Sequence, residues 1–344
     1  MTAKSPPRPL TAAGALSIAA GIALFAWLIY RVGPGTIGSG LRLIGWGLAA
    51  IVVIGGLRFA VRAAAWALCV EAPHRLALRD AFAAVVAGDA LGNATPLGPI
   101  VGEPAKAAFV RGRLPLAAAL TALAIENVLY TLSAAAMIAG GMIALLFTFE
   151  LPDRLREVSE IALATVLAIF ALALWMLWRR PAIVSGSLGV LTTRVPAAAA
   201  RVDRVRALER EMYTFASRRR GAMLPLVGAE LLFHALGVAE VHLTLWLLQG
   251  EPPPLLTSFI LETVNRLITV IFKFIPMQVG VNEAGTALVT EVLGLGAATG
   301  VTLGVVRKVR MLFWSSAGIV LLVRRGLTTR RILEDSELMP VRET

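Results

Sequence analysis

Apolar residues in this chain fall in long blocks. They follow neither the 3.6-residue stripe of an amphipathic helix nor the alternation of a half-buried strand. The blocks cover residues 11–30, 43–70, 115–147, 161–178, 222–248 and 301–323. At about 1.5 Å of rise per residue, each matches or nearly matches a hydrocarbon core about 30 Å thick. Two further apolar stretches are punctuated. Residues 81–110 contain Gly92, Asn93, Pro96, Gly98, Pro99, Gly102 and Pro104, and residues 256–295 contain Pro276, Gly280 and Gly285. Broken backbone at membrane depth is tolerated only where protein covers it or a wet cavity borders it. The pattern predicts an all-α, polytopic helical membrane protein with about six full spans plus two re-entrant helical hairpins. Pairs of short, kinked full spans are the alternative for the punctuated stretches. The overlong 115–147 block either tilts, breaks at Gly140-Gly141 or runs along the cytoplasmic surface.

Loop charge orients this layout. Residues 179–220 carry ten Arg against Asp203, Glu209 and Glu211, so they are expected on the cytoplasmic side. Residues 150–160 carry four acids and two Arg, and the Glu251-Pro-Pro-Pro turn has no basic residue; both suit the outside. Six crossings then put both termini inside a bacterial inner membrane. The expected organisation is a tail at 1–9, a transmembrane domain at 10–325 and a second tail at 326–344. Within the domain, two repeats cover about 43–148 and 222–323 and are joined by the basic loop.

Composition agrees with a membrane class. Of 344 residues, 57% are hydrophobic and 16% charged, whereas a soluble domain carries about a quarter charged. The net charge of +11 raises nucleic acid as a partner, but no helix-turn-helix, zinc-finger or aromatic RNA-binding pattern accompanies it. Anionic lipid facing the loops accounts for it better. The single cysteine, Cys69, excludes an intrachain disulfide and a Cys-based zinc site. Lys4 and Arg8 precede the first block as in a secretory signal, but Arg31-Val-Gly-Pro is a poor cleavage site, so that block reads as a retained span.

The punctuated stretches repeat. Pro96-Leu-Gly-Pro-Ile-Val-Gly-Glu103-Pro-Ala-Lys-Ala107 aligns without a gap on Pro276-Met-Gln-Val-Gly-Val-Asn-Glu283-Ala-Gly-Thr-Ala287, with Pro, Val, Glu and Ala each displaced by 180 residues. A full span precedes and follows each copy. The first copy's leading span starts outside and the second's inside, so the repeat is inverted, an arrangement common in secondary transporters.

An ionised side chain mid-membrane costs about 2.5–3.5 kcal/mol on insertion scales, so each needs a partner or a cavity. Arg58 and Arg62 lie one turn apart and share a face. Glu126, Glu230, His234, Arg307, Lys308 and Arg310 lie in other spans; Asp89, Asn93, Glu103, Lys106, Glu262, Arg266, Lys273 and Glu283 lie in the hairpins. Bland roles exist for several. Arg62, Arg307 and Lys308 can snorkel to an interface, Glu126 can pair with Arg307 or Arg310 across helices, and Glu230 can bond His234. A metal at His234, Glu240 and His242 is disfavoured, since 234 and 242 point about 80° apart on a helix. As a set, Arg58, Arg62, Lys106, Arg266, Lys273 and Arg310 suit a phosphate-bearing head group. Glu103 and Glu283, at the two tips, are the foremost single-residue candidates to cap a cation, relay protons or pair with those arginines. No P-loop, no GxGxxG opening a helix and no catalytic or cofactor motif is present.

These residues resemble the flippase-like transmembrane region of lysylphosphatidylglycerol synthases. The resemblance rests on Asn93-Ala-Thr-Pro96 through Gly102-Glu103, on Glu126, on Pro276 through Gly280-Val-Asn-Glu283-Ala, and on Arg307–Arg310. It covers roughly residues 10–325. It implies movement of a phospholipid or other amphiphile between leaflets, with membrane lipids, anionic phospholipid above all, as partners. It makes Glu103 and Glu283 the acidic hairpin residues and Arg307 or Arg310 the basic residue of the last span. Two departures stand out: Asn127 follows Glu126 where the family commonly has Arg, and Pro104 after Glu103 is expected to start the next helix abruptly. The sequence ends at Thr344 without a soluble aminoacyl-transfer domain, so lysine attachment to lipid is not expected. A separate lipid-synthesis enzyme and a homo-oligomer are further possible partners. The competing classes are a membrane-embedded lipid-modifying enzyme, with Glu103 or Glu283 as general base, and a non-catalytic scaffold.

Overall fold

Backbone amides in an apolar run have no partners but each other, so the apolar blocks among the described residues close into helices. The computed structural model describes residues 33–94, 98–179, 218–272 and 275–325, and with them Trp27, Tyr30, Thr214 and Phe215. Nearly all of the 11–30 span, most of the basic 179–220 segment, both tails and Lys273 lie outside the described residues.

Ten α-helices occur among the described residues. They are α1 (Pro34–Ile44), α2 (Gly47–Cys69), α3 (Leu78–Ala94), α4 (Gly98–Phe109), α5 (Leu116–Thr148), α6 (Asp153–Arg179), α7 (Arg220–Gln249), α8 (Leu255–Ile271), α9 (Val281–Val292) and α10 (Ala297–Arg324). A single 3-10 turn, Pro276–Gln278, joins α8 to α9. Among the described residues, four helices are long and apolar enough to cross a membrane: Gly47–Cys69, Leu116–Thr148, Asp153–Trp175 and Arg220–Gln249. The last helix, α10, has the length, about 42 Å, but carries Arg307, Lys308 and Arg310 in its middle.

Several details depart from the sequence pattern. The expected 43–70 span divides, because Gly45, at φ 46° and ψ −125°, ends α1 before α2 begins. The 115–147 block is one unbroken 33-residue helix, about 50 Å long. Gly140-Gly141 does not break it; Gly141 instead lets Thr263 of α8 lie against the α5 backbone. Pro104 does not start a helix either. It sits inside α4, which has already begun at Gly98.

The two punctuated stretches form helical hairpins of the same proportions. The first pairs 17-residue α3 with 12-residue α4, and the second pairs 17-residue α8 with 12-residue α9. At about 25 and 18 Å, these helices fall short of a hydrocarbon core about 30 Å thick. Within the first hairpin, Gly88 and Gly102 leave no room for a methyl, so the two backbones touch. The turn of the second hairpin packs on α3 of the first, so the two hairpins meet inside the bundle.

Packing is reciprocal. Trailing helix α5 lies against α8, the first helix of the other half's hairpin, and trailing helix α10 lies against α3 in the same way. A glycine serves each crossing: Gly141 on α5, and Gly318 on α10, where a methyl would strike the Val86 carbonyl and Ala90. Leading helices α2 and α7 pack on each other. The two larger apolar clusters hold Trp66, Ala84, Ala105 and Leu123 in one and Val241, Leu261, Val289 and Leu303 in the second.

One end of the bundle is basic. There Arg219 donates to the Val70 carbonyl (2.8 Å), Arg113 and Arg325 pair with buried Asp80, and Arg325 covers the Phe109 ring. This ties the ends of α2, α4 and α10 to the starts of α3 and α7. The opposite end, where α5, α7 and α9 finish, carries Glu150, Asp153, Glu157, Glu251 and Glu291.

Overpacking a close crossing costs about 1–3 kcal/mol. Gly318→Val is therefore expected to lower the apparent melting midpoint in detergent, read by size-exclusion after heating. Gly140→Val, whose side chain would only reach ordinary contact with Phe259, is expected to change it little. Equal midpoints for the two variants would refute the close-packing role of Gly318.

Candidate functional site

Polar side chains that cannot face lipid have to face each other or an internal space, and here they do both. A cavity of about 400 Å³ opens between the two hairpins and α2, α5, α7 and α10. Seven basic residues line it, Arg58, Arg62, Lys106, Arg266, Arg307, Lys308 and Arg310, against only two acids, Asp89 and Glu103.

Four further acids stand behind the lining. Glu126, Glu240, Glu262 and Glu283 are between 0% and 2% exposed. Glu262 accepts from Arg266 (2.9 Å), Arg307 (3.2 Å), Arg58 (3.5 Å) and Asn265 (3.1 Å). Glu240 accepts from Arg310 (2.7 Å) and Arg58 (3.2 Å). Four arginines thus share two carboxylates. Glu126 accepts one hydrogen bond from Arg62 Nη2 (3.1 Å) and its other oxygen lies 2.9 Å from Nη1, a close buried ion pair. Helical spacing arranges these groups locally. Arg58 with Arg62 and Glu262 with Arg266 are four residues apart, so each pair shares a face. Aromatic rings fill the gaps: Phe233 lies 4.7 Å from the Arg58 guanidinium and 4.9 Å from that of Arg266, and Tyr130 lies 4.0 Å from that of Arg62. Cations favour such ring faces.

The two hairpin glutamates differ. Glu103, on α4, faces the cavity and accepts from Lys106 (2.6 Å) and Asn127 (3.1 Å). Asn127 also accepts from Arg62 (3.4 Å), so it bridges the first hairpin to α2. Glu283 is wholly buried and does not line the cavity, contrary to its place at a tip in the sequence. It turns back to accept from the Gly280 amide (2.8 Å) at the start of α9 and pairs with Lys308 (3.3 Å). Lys308 also donates to the Met277 carbonyl. That carbonyl belongs to a turn in which Met277 (φ 53°) and Gln278 (φ 51°) are both left-handed, a conformation that non-glycine residues hold only when their surroundings fix it.

Of the residues singled out from sequence, Arg58, Arg62, Asn93, Glu103, Lys106, Arg266, Arg307 and Arg310 come together at the cavity. Glu126 and Glu283 lie behind it, and Lys273 lies outside the described residues. Glu126 pairs with Arg62, not with Arg307 or Arg310, because α5 presents it to α2. Glu230 and His234 do not bond each other; Ser133 bonds Glu230 (3.0 Å) and meets His234 Nε2 (3.0 Å). His234 Nδ1 has no carboxylate behind it, so this group lacks the relay of a nucleophilic serine. His242 meets Ser258 (3.2 Å), and Glu240 is taken by arginines. Sequence reading missed Glu240 as an arginine partner and Asn127, Tyr130, Phe233, Asn265 and Asn282 as lining or support. The signal for Glu240 was present: an acid within an apolar span demands a cation.

With this geometry in hand, comparison with protein families matches residues 14–318 to the lysylphosphatidylglycerol synthase TM region. Searches of curated proteins and of solved structures each found no match.

Removing one partner of a buried ionic cluster costs about 3–5 kcal/mol. Glu262→Gln, which removes the negative charge shared by three arginines and turns one of its two acceptor oxygens into a donor, is expected to lower the melting midpoint well beyond Glu103→Gln, whose carboxylate is 30% exposed to the cavity. Matching midpoints for the two variants would mean that Glu262 does not hold the cluster.

Proposed function

The chain belongs to the lysylphosphatidylglycerol synthase TM region family, and from that premise we propose that it moves an amphiphilic lipid between the leaflets of a membrane. The observation that carries this reading is a strongly basic cavity lined by both hairpins, with seven basic side chains against two acidic ones. A head group would cross through that cavity while its acyl chains stay in the bilayer, which spares a charged group the passage through hydrocarbon.

The matched hairpin lengths and the reciprocal packing of trailing helices on opposite hairpins support an inverted repeat, with both hairpins re-entrant. Two such halves can exchange roles, opening one site to either side in turn. The left-handed turn latched by Lys308 is the element best suited to change between states, since it is held by contacts and not by its own backbone preference. The basic end suits the cytoplasmic side of a bacterial inner membrane. In this reading the protein is a transporter, not an enzyme, and a separate lipid-synthesis enzyme supplies its cargo.

The test is lipid exchange in liposomes carrying acyl-labelled phosphatidylglycerol, phosphatidylethanolamine or phosphatidylcholine, with a membrane-impermeant quencher. Wild type is expected to speed transfer of at least one lipid. Glu103→Gln and Arg266→Gln are expected to slow it about tenfold or more, the equivalent of ~1.4 kcal/mol in the barrier. Arg156→Gln, in an exposed pair with Glu160, is expected to match wild type. Transfer no faster than in protein-free liposomes for all three lipids would overturn the proposal.

A further inference from the structure

We infer that Glu230, Ser133 and His234, where α5 meets α7, form a proton-binding site, and that the proton held there couples lipid transfer to proton movement. The coupling rests on the transport reading; the proton site does not.

Glu230 stands apart from the other acids of the interior. Glu103, Glu126, Glu240, Glu262 and Glu283 each pair with a cation, and Asp89 lines the cavity. Glu230 is 4% exposed, does not line the cavity and forms no ion pair among the described residues. A carboxylate at that depth with neither water nor a cation beside it is costly, and a bound proton removes the charge.

Its surroundings accept Glu230 with or without that proton. Ser133 Oγ lies 3.0 Å from Glu230 Oε2, 3.0 Å from His234 Nε2 and 2.9 Å from the Tyr130 carbonyl, and it has one hydrogen to give. With Glu230 ionised, the hydroxyl donates to the carboxylate and accepts from His234 Nε2–H. With Glu230 protonated, the carboxyl donates to Ser133, which turns its own hydrogen to the Tyr130 carbonyl. No heavy atom has to move between the two states.

His234 supplies an entry. Its Nδ1 is buried without a hydrogen-bond partner. A proton taken up there lets Nε2 pass its own to Ser133, and Ser133 pass its hydrogen to Glu230, leaving the imidazole neutral in its other tautomer. His234 also borders an apolar groove of about 530 Å³, shared with His242, Trp246 and Leu255, which runs toward the acidic end of the bundle. Tyr130, one turn before Ser133, lines the cavity. The group therefore lies between the groove and the cavity.

Arg62 links it to the transport site. Within electrostatic reach of Glu230 are Arg62 and Cys69 on α2, Glu126 and Tyr130 on α5, and His234 on its own helix; Arg58 acts on His234. Arg62 gives one hydrogen bond to Glu126 and one to Asn127, which in turn holds Glu103 at the cavity. A protonated Glu230 leaves Arg62 to Glu126, whereas an ionised one draws on the same guanidinium. Proton binding thus changes the pull on a side chain of the cavity wall.

Infrared difference spectra of the purified full chain, taken between acid and alkaline buffer, read the site without transport. Wild type is expected to show a protonated-carboxyl C=O band that Glu230→Gln lacks and whose pH midpoint Ser133→Ala shifts by about half a unit or more. Should Glu230→Gln not fold, Glu230→Asp keeps the acid and is expected to move both the band and its midpoint. Spectra identical in wild type and folded Glu230 variants overturn the proton site. The coupling is read in liposomes with the labelled lipid that wild type moves, at clamped membrane potential. A gradient of about one pH unit is expected to drive the label to as much as about tenfold leaflet asymmetry, ~1.4 kcal/mol for one proton per lipid. Glu230→Gln is expected to leave the label evenly spread. Even spreading by wild type under the gradient, with its infrared band intact, overturns the coupling. The band without transfer of any lipid would sink the transport reading alone.

Discussion

Charge inside an apolar bundle has to be met by opposite charge within a side chain's reach, and in this protein two carboxylates define that reach. Glu240 on α7 and Glu262 on α8 gather Arg58 from α2, Arg266 from α8, and Arg307 and Arg310 from α10. On a water-exposed surface such pairs contribute little. Excluded from water, they fix the positions of four helices, because any helix that slides leaves an unmatched charge behind. The cavity is a by-product of the same constraint. Arginines drawn outward by buried acids cannot also collapse on one another, so the space between them stays open.

That network works only if the helices approach closely at other points. Gly141 and Gly318 let trailing helices reach the hairpins of the opposite half, and Gly88 and Gly102 let the first hairpin close on itself. Without strong hydrophobic attraction between helices in lipid, such small-residue contacts are a main source of packing energy. They also set helix rotation, which decides whether Glu126 faces Arg62 and whether Arg310 faces Glu240.

The two hairpins share their lengths and their glutamate positions, yet not their electrostatics. Glu103 is open to the cavity and bound by a neighbouring lysine, while Glu283 is closed off, capping α9 and holding Lys308 from α10. One tip therefore presents an acid to the interior, and the other uses its acid to anchor a left-handed turn.

How much of this was legible beforehand follows from the range of each interaction. Run length, proline and glycine breaks and the expense of charge in an apolar segment are local, so the helical membrane class, both hairpins and most of the polar residues at the cavity could be read from the sequence. The Glu262–Arg266 pair, one turn apart, was within that range too. Partner choice was not. Arg62 meets Glu126 across 64 positions and Arg58 meets Glu240 across 182, and these depend on the depth and rotation of helices set by glycine contacts elsewhere in the chain. The same holds for Pro104, absorbed within α4 instead of starting it, and for Glu283, turned inward where Glu103 turns outward. The sequence determined by itself which residues could not face lipid; only the tertiary structure decided which of them face each other and which face the cavity, because that choice is made by packing between segments far apart in the chain.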